Sequence, residues 1–70
     1  MKLMEVDGMK LKDLRLDRGL SQMELHELSG VSQDTISKLE TGERPNPHPR
    51  TLRALATALD VSVADIRKKD

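Results

Sequence analysis

Gln33, Asp34, Ser37 and Lys38 follow one another at positions i, i+1, i+4 and i+5 of one stretch. On a helix this spacing gathers them on one side. Ile36 and Leu39 fall on the side turned away from them. An amide, a carboxylate, a hydroxyl and an ammonium together can donate and accept hydrogen bonds in several directions. Their chemistry is recognition of another polar surface. Gln22 is a second such group, eleven residues earlier. Nothing in the chain assembles a reaction centre. His26 and His48 stand alone, without a nucleophile and an orienting third group, and no glycine-rich loop cradles a phosphate. Glu24 and Glu27 beside His26 read as a solvated face. The chain is therefore not expected to be an enzyme, to hold a metal or to need a cofactor.

Composition narrows the class further. Seventy residues make one small domain. With 36% hydrophobic and 34% charged residues the chain can fold but cannot live in a bilayer. No apolar run approaches the ~20 residues a membrane span needs, so no membrane partner is expected. The absence of cysteine excludes disulfides and permits a reducing compartment. The absence of Phe, Tyr and Trp removes the stacking platforms of single-strand binders. The first seven residues lack the long apolar stretch and cleavage site of an export signal, and the expected address is the cytoplasm. Net charge is zero. Residues 1–20 carry five basic and four acidic groups, 21–40 one and four, 41–70 six and four. Any positive footprint must be built from both ends around an acidic middle.

The elements that would position the polar set are helical. Apolar residues recur at three and four, and Gly19, Gly30 and Gly42 each follow a candidate helix. Helices are predicted over about 9–18, 22–29, 33–40, 49–59 and 63–68. Residues 1–8 form an arm, extended or disordered, and 69–70 a tail. Leu11 and Leu14 are the core pair of the first helix. Leu16 lies off that line, either partly exposed or in contact with the C-terminal helix or a partner. Ser21, Ser32 and Ser62 each precede a helix, with Glu24, Thr35 and Asp65 three residues on. Ser21–Glu24 is a full capping box. Pro49 suits a first helical position. The fold class is all-α.

Two helices of about eight residues joined through Ser29-Gly30-Val31 form a helix-turn-helix, spanning about 22–40. Its inward set is read as Leu25, Leu28, Val31, Ile36 and Leu39. The outward face of the second helix is then the polar set. A short protruding helix fits the ~12 Å wide major groove of a duplex. Glutamine matches adenine N6 and N7, a carboxylate or hydroxyl accepts from cytosine N4, and lysine reaches guanine O6 or N7. Gln22 and the N–H groups around it would lie against a phosphate. Asp34 is repelled by phosphates unless it finds a cytosine amino group.

Three stretches in order complete the picture: Leu14-Arg15-x-x-Arg18-Gly19-Leu20-Ser21-Gln22; Leu25-x-x-Leu28-x-Gly30-Val31-Ser32-Gln33-x-x-Ile36-Ser37-x-Leu39-Glu40-x-Gly42; and Asn46-Pro47 with Thr51-Leu52-x-x-Leu55-Ala56-x-Ala58-Leu59-x-Val61. From about Met9 to Lys68 the chain resembles the phage-repressor helix-turn-helix family, the Cro-like or XRE-type domain with a lambda-repressor-like fold of five short helices. The resemblance implies sequence-specific binding of double-stranded DNA and a repressor-like role in transcription, in a bacterial or phage setting and in association with the nucleoid. It implies base reading by Gln33, Asp34, Ser37 and Lys38. It implies phosphate contacts by Gln22 and by Thr41 and Arg44 after the recognition helix, with Ser32 and Arg50 added on their placement. It also implies a structural ion pair of Arg15 with Glu40, against which an Arg15–phosphate contact stands as the alternative.

Some positions depart from the family pattern. His26 replaces a small residue at a helix crossing, so either the helices open or the imidazole escapes along the surface. His48 takes the place of a serine cap, Pro45 is an extra loop residue, and Glu43 suits a phosphate poorly. One module buries roughly 600–1,000 Å² on DNA, which favours a homodimer on a palindromic operator with half-sites about 34 Å apart. Leu16, Val63 and Ile66 are the candidate dimer contacts, although Val63 and Ile66 could instead complete the monomer core. Zero net charge also fits a second reading, an adaptor or antitoxin that uses the fold to bind a protein partner. The chain would be either a complete miniature regulator or one domain of a longer protein.

Overall fold

The computed structural model describes residues 5–43 and 46–68. Among these are five helices: α1 (Gly8–Asp17), α2 (Gln22–Ser29), α3 (Gln33–Thr41), α4 (Pro49–Leu59) and α5 (Val63–Ile66). The expected spans differ from these mainly at the two ends. Residues 67–68, expected in the last helix, are instead extended, because the backbone there pairs with the start of the chain. Val6 and Arg67 form an antiparallel bridge. The Asp7 N–H donates to the Ile66 carbonyl at 2.9 Å and the Lys68 N–H to the Glu5 carbonyl at 2.7 Å. Residues 5–8, expected to belong to an arm outside the domain, thus join it. Val6 is buried and Asp7 caps α1, accepting from the Lys10 N–H at 3.2 Å. Met1–Met4 lie outside the described residues.

Local chemistry sets where the helices begin. The Ser21 Oγ accepts from the Glu24 N–H at 3.0 Å, and the Glu24 carboxylate accepts from the Ser21 N–H at 2.9 Å. Ser32 accepts from the Thr35 N–H at 3.1 Å. At Ser62 the Asp65 carboxylate accepts from the backbone N–H at 2.9 Å. Caps of this kind contribute about 1 kcal/mol each. His48 precedes α4 without a capping hydrogen bond, as its ring suggested. His48→Ser is expected to raise stability by about 0.5–1 kcal/mol, read as a higher urea midpoint; an unchanged midpoint would mean Pro49 alone sets that helix start.

The core is one cluster to which every helix contributes: Leu11 from α1, Leu25 from α2, Ile36 and Leu39 from α3, Leu52, Leu55 and Leu59 from α4, and Ile66 from α5. Ile66, expected as a dimer contact or a core residue, is fully buried within the single chain and is unavailable to a partner. Val63 is half-buried against the same cluster. Leu28, expected to face inward, is 62% exposed. Its neighbours across the gap are Ala54 and Ala58 of α4, too small to close over it. Val31 beyond the turn packs against the core.

Candidate nucleic-acid interface

Gly30 ends α2 in the left-handed region at φ 76°, a backbone that L side chains seldom adopt. Reversal at this point sets α3 across α2. Ser29 tightens the corner, donating through Oγ to the Leu25 carbonyl and accepting from the Val31 N–H. His26 packs at the same corner. Its Nδ1 lies 2.7 Å from the Val31 carbonyl, so that nitrogen carries the proton, and the ring rests half-buried along the surface.

The turn leaves the start of α3 in solvent. Ser32, Gln33 and Asp34 are exposed, while Ser37 and Lys38 are half-buried. The Lys38 Nζ sits 3.2 Å from the Asp34 carboxylate, one helical turn away. The i, i+4 spacing carried this signal, but the sequence reading treated the two residues separately. Their pairing offsets much of the repulsion Asp34 would bring to a phosphate-rich surface. The Ser32 hydroxyl also donates to Thr35 Oγ1 at 2.8 Å, so it is engaged in the cap. Thr41 is the last residue of α3, not part of the loop after it, and its hydroxyl donates to the Lys38 carbonyl at 3.2 Å. Arg44 lies outside the described residues. Arg50, second residue of α4, is exposed and lines an open depression of about 350 Å³ together with Gly30, Ser32 and Thr35.

Behind the exposed edge sits an ion pair. Arg15 donates through Nε to Glu40 Oε2 at 2.6 Å and through Nη2 to Oε1 at 2.9 Å. Its Nη1 donates to the Leu20 carbonyl at 2.7 Å. The hydrogen bond to Glu40 holds the guanidinium above its ordinary pKa, against the opposing effect of burial. Arg15 is thus a buried structural group in this fold, tying α1 to the end of α3. Glu40 also accepts from the Gln22 side-chain amide at 3.1 Å. One N–H of Gln22 is committed to this bond; the second is the donor a phosphate would meet. Sequence reasoning placed Gln22 and Glu40 in separate roles and did not connect them. Leu16 is 55% exposed on α1.

A short helix held out by a glycine turn, backed by an ion pair and flanked by an amide and an arginine, defines a helix-turn-helix domain. The family profile described as a helix-turn-helix domain matches residues 8–68. The chain is 43% identical over 58 residues to the transcriptional repressor RghR of Bacillus subtilis, covering 83% of this chain and 43% of that protein. It therefore spans less than half the length of that relative. The restriction-modification controller protein C.AhdI of Aeromonas hydrophila superposes with a TM-score of 0.78 at 38% identity, over 83% of this chain and 86% of that one. The biofilm master regulator SinR, crystallised with DNA, superposes with a TM-score of 0.79 at 35% identity, over 81% and 90% of the two chains. The chain belongs to the Cro/XRE-type helix-turn-helix family, the DNA-binding domains of transcriptional regulators. These relatives are regulators. Among the described residues no helix is long and apolar enough to cross a membrane.

Proposed function

We propose that this chain reads a duplex DNA site by seating α3 in the major groove and regulates transcription from the cytoplasm by occupying an operator. The observation that carries the reading is the exposed edge at the start of α3, with Gln33 and Asp34 in solvent and Gln22 fixed by Glu40 beside it. Gln33, Asp34, Ser37 and Lys38 read base edges. Gln22, Thr41, Arg44 and Arg50 meet phosphates, and Ser32 orients the first turn of α3 through its cap. Phosphate contacts set register and base contacts select sequence. Two copies on a palindrome would supply the area that one module lacks.

Selection of a preferred duplex from a random pool tests the reading directly. Affinity for it should fall steeply between roughly 50 and 200 mM salt. Failure to retain any duplex at low salt would replace this reading with that of a protein-binding adaptor. On the selected duplex, Gln33→Ala should lose about 1–3 kcal/mol of discrimination at one base pair. Arg50→Ala should weaken all duplexes alike and lower the salt slope by about one. Fluorescence anisotropy on single-base variants separates the two; equal effects on every sequence would remove the division of roles.

A further inference from the structure

The chain carries two exposed apolar surfaces that are complementary, and of their residues the DNA reading uses only Arg50. The first is a stripe on α1. Met9 and Leu16, 73% and 55% exposed, stand seven residues apart on one helical face, with Asp13 between them. Asp13 and Asp17 flank this stripe on one side and Lys12 on the other, as the 100° step between helical positions dictates. Asp13 and Lys12 make no ion pair among the described residues; Asp17 faces Arg18 at 3.7 Å.

The second surface is an open groove of about 700 Å³ between α2 and α4. Leu28, Ala54 and Ala58 line it, and Arg50, Arg53 and Thr57 stand on its α4 side. Arg50 and Arg53 make no ion pair among the described residues. One turn before Leu28, the α2 lip carries Glu24, exposed and occupied only by its capping bond to Ser21. The groove is thus apolar along its middle and basic on its α4 side, with Glu24 one helical turn from Leu28 beyond it. The α1 stripe is apolar along its middle, acidic on one side and basic on the other. The lengths also agree. Met9 to Leu16 and Arg50 to Thr57 each span seven residues, about 10 Å of helix.

We propose that the groove receives the α1 stripe of a second copy of this chain, so that copies join head to tail. Leu16 and Met9 of one copy cover Leu28, Asp13 and Asp17 face Arg53 and Arg50, and Lys12 faces Glu24. The donor and acceptor surfaces are different, so the contact is heterologous and each copy keeps one surface of each kind for another neighbour. A contact of this size falls in the weak, transient class, suited to adding copies where DNA has already concentrated them. The inference does not depend on how the chain reads DNA, because it is tested without DNA.

Sedimentation of the whole chain at up to roughly 1 mM, a range suited to weak contacts, should show an average mass rising above 7.9 kDa with concentration. Asp13→Arg and Arg53→Asp are exposed changes whose helicity is checked by circular dichroism. Each alone should weaken association roughly tenfold or more. Mixed in equal amounts, they should associate again as alternating copies, because the intact stripe of one meets the intact groove of the other and the reversed stripe meets the reversed groove. The chain carrying both reversals should associate again. A wild-type chain that stays at the monomer mass would overturn the proposal and leave the groove to another protein. A dimer that survives both single reversals would overturn it in favour of a closed two-fold contact elsewhere. A mixture that fails to pair while the wild type associates would equally refute it.

Discussion

Glu40→Ala is expected to lower stability by about 3–5 kcal/mol, because it strands a buried arginine. Arg15 is 6% exposed, and two of its three hydrogen bonds end on the Glu40 carboxylate. The remaining bond, to the Leu20 carbonyl, cannot balance a full charge. Nor can the group escape by neutralising, since its pKa is held above an already high ordinary value and it stays protonated at any working pH. A domain of this size has roughly 5–15 kcal/mol of stability in all, so the variant should be largely unfolded in mild urea. Replacing both partners by apolar residues, as in Arg15→Met with Glu40→Leu, should recover most of the loss, because what costs is the unpaired charge and not the missing pair. Urea midpoints of the single and double variants decide the matter. A single-variant loss below about 1 kcal/mol would mean that water already screens the pair as on a surface. The same variant frees the Gln22 amide, which now rests on Glu40, so DNA affinity of the folded fraction should fall as well.

That pair shows which parts of this protein could be read from its residues. Helix starts were legible because their determinants are local: Ser21 and Glu24 lie within one turn and satisfy each other. The glycine corner was legible for the same reason, since a left-handed residue followed by a serine cap leaves little choice of path. The outward face of α3 followed from the inward placement of Ile36 and Leu39. Leu28 was misread because its burial depends on what faces it. The spacing from Leu25 is right for a core position, but α4 presents only Ala54 and Ala58 there. Ile66 stayed ambiguous because the core cluster it joins includes Val6, sixty residues away, whose bridge to Arg67 no local pattern announces. In the interface, residue types told which groups could bind, while their partners in the free protein, Asp34 for Lys38 and Glu40 for Gln22, emerged only from the structure.

The other large effect expected is at Gly8, a residue that the sequence marks only as a glycine after an aspartate. In the structure it brings the first turn of α1 against the last turn of α3, where a positive helix end meets the carbonyls of a negative one. A Cβ at Gly8 would fall 2.7 Å from the Glu40 carbonyl oxygen and nearer still to that of Leu39. Both are backbone atoms in a helix, and neither can swing aside as a side chain would. Torsion is not the obstacle, because Gly8 is absent from the positive-φ residues and alanine would favour the helix by up to about 1 kcal/mol. The contact reverses that sign. Gly8→Ala should therefore lose about 2–3 kcal/mol net, a drop in Tm of roughly 10–20 °C for a chain of this length. Tilting α1 away from α3 also pulls Arg15 from Glu40, so the loss should shrink when Glu40 is already alanine. Gly19 is the control. Its φ of +68° strains an alanine, but its Cβ would meet open space, and about 1 kcal/mol is the expected cost. If Gly8→Ala melts at or above the wild-type temperature, α1 is free to move and the close approach does not hold the two helices.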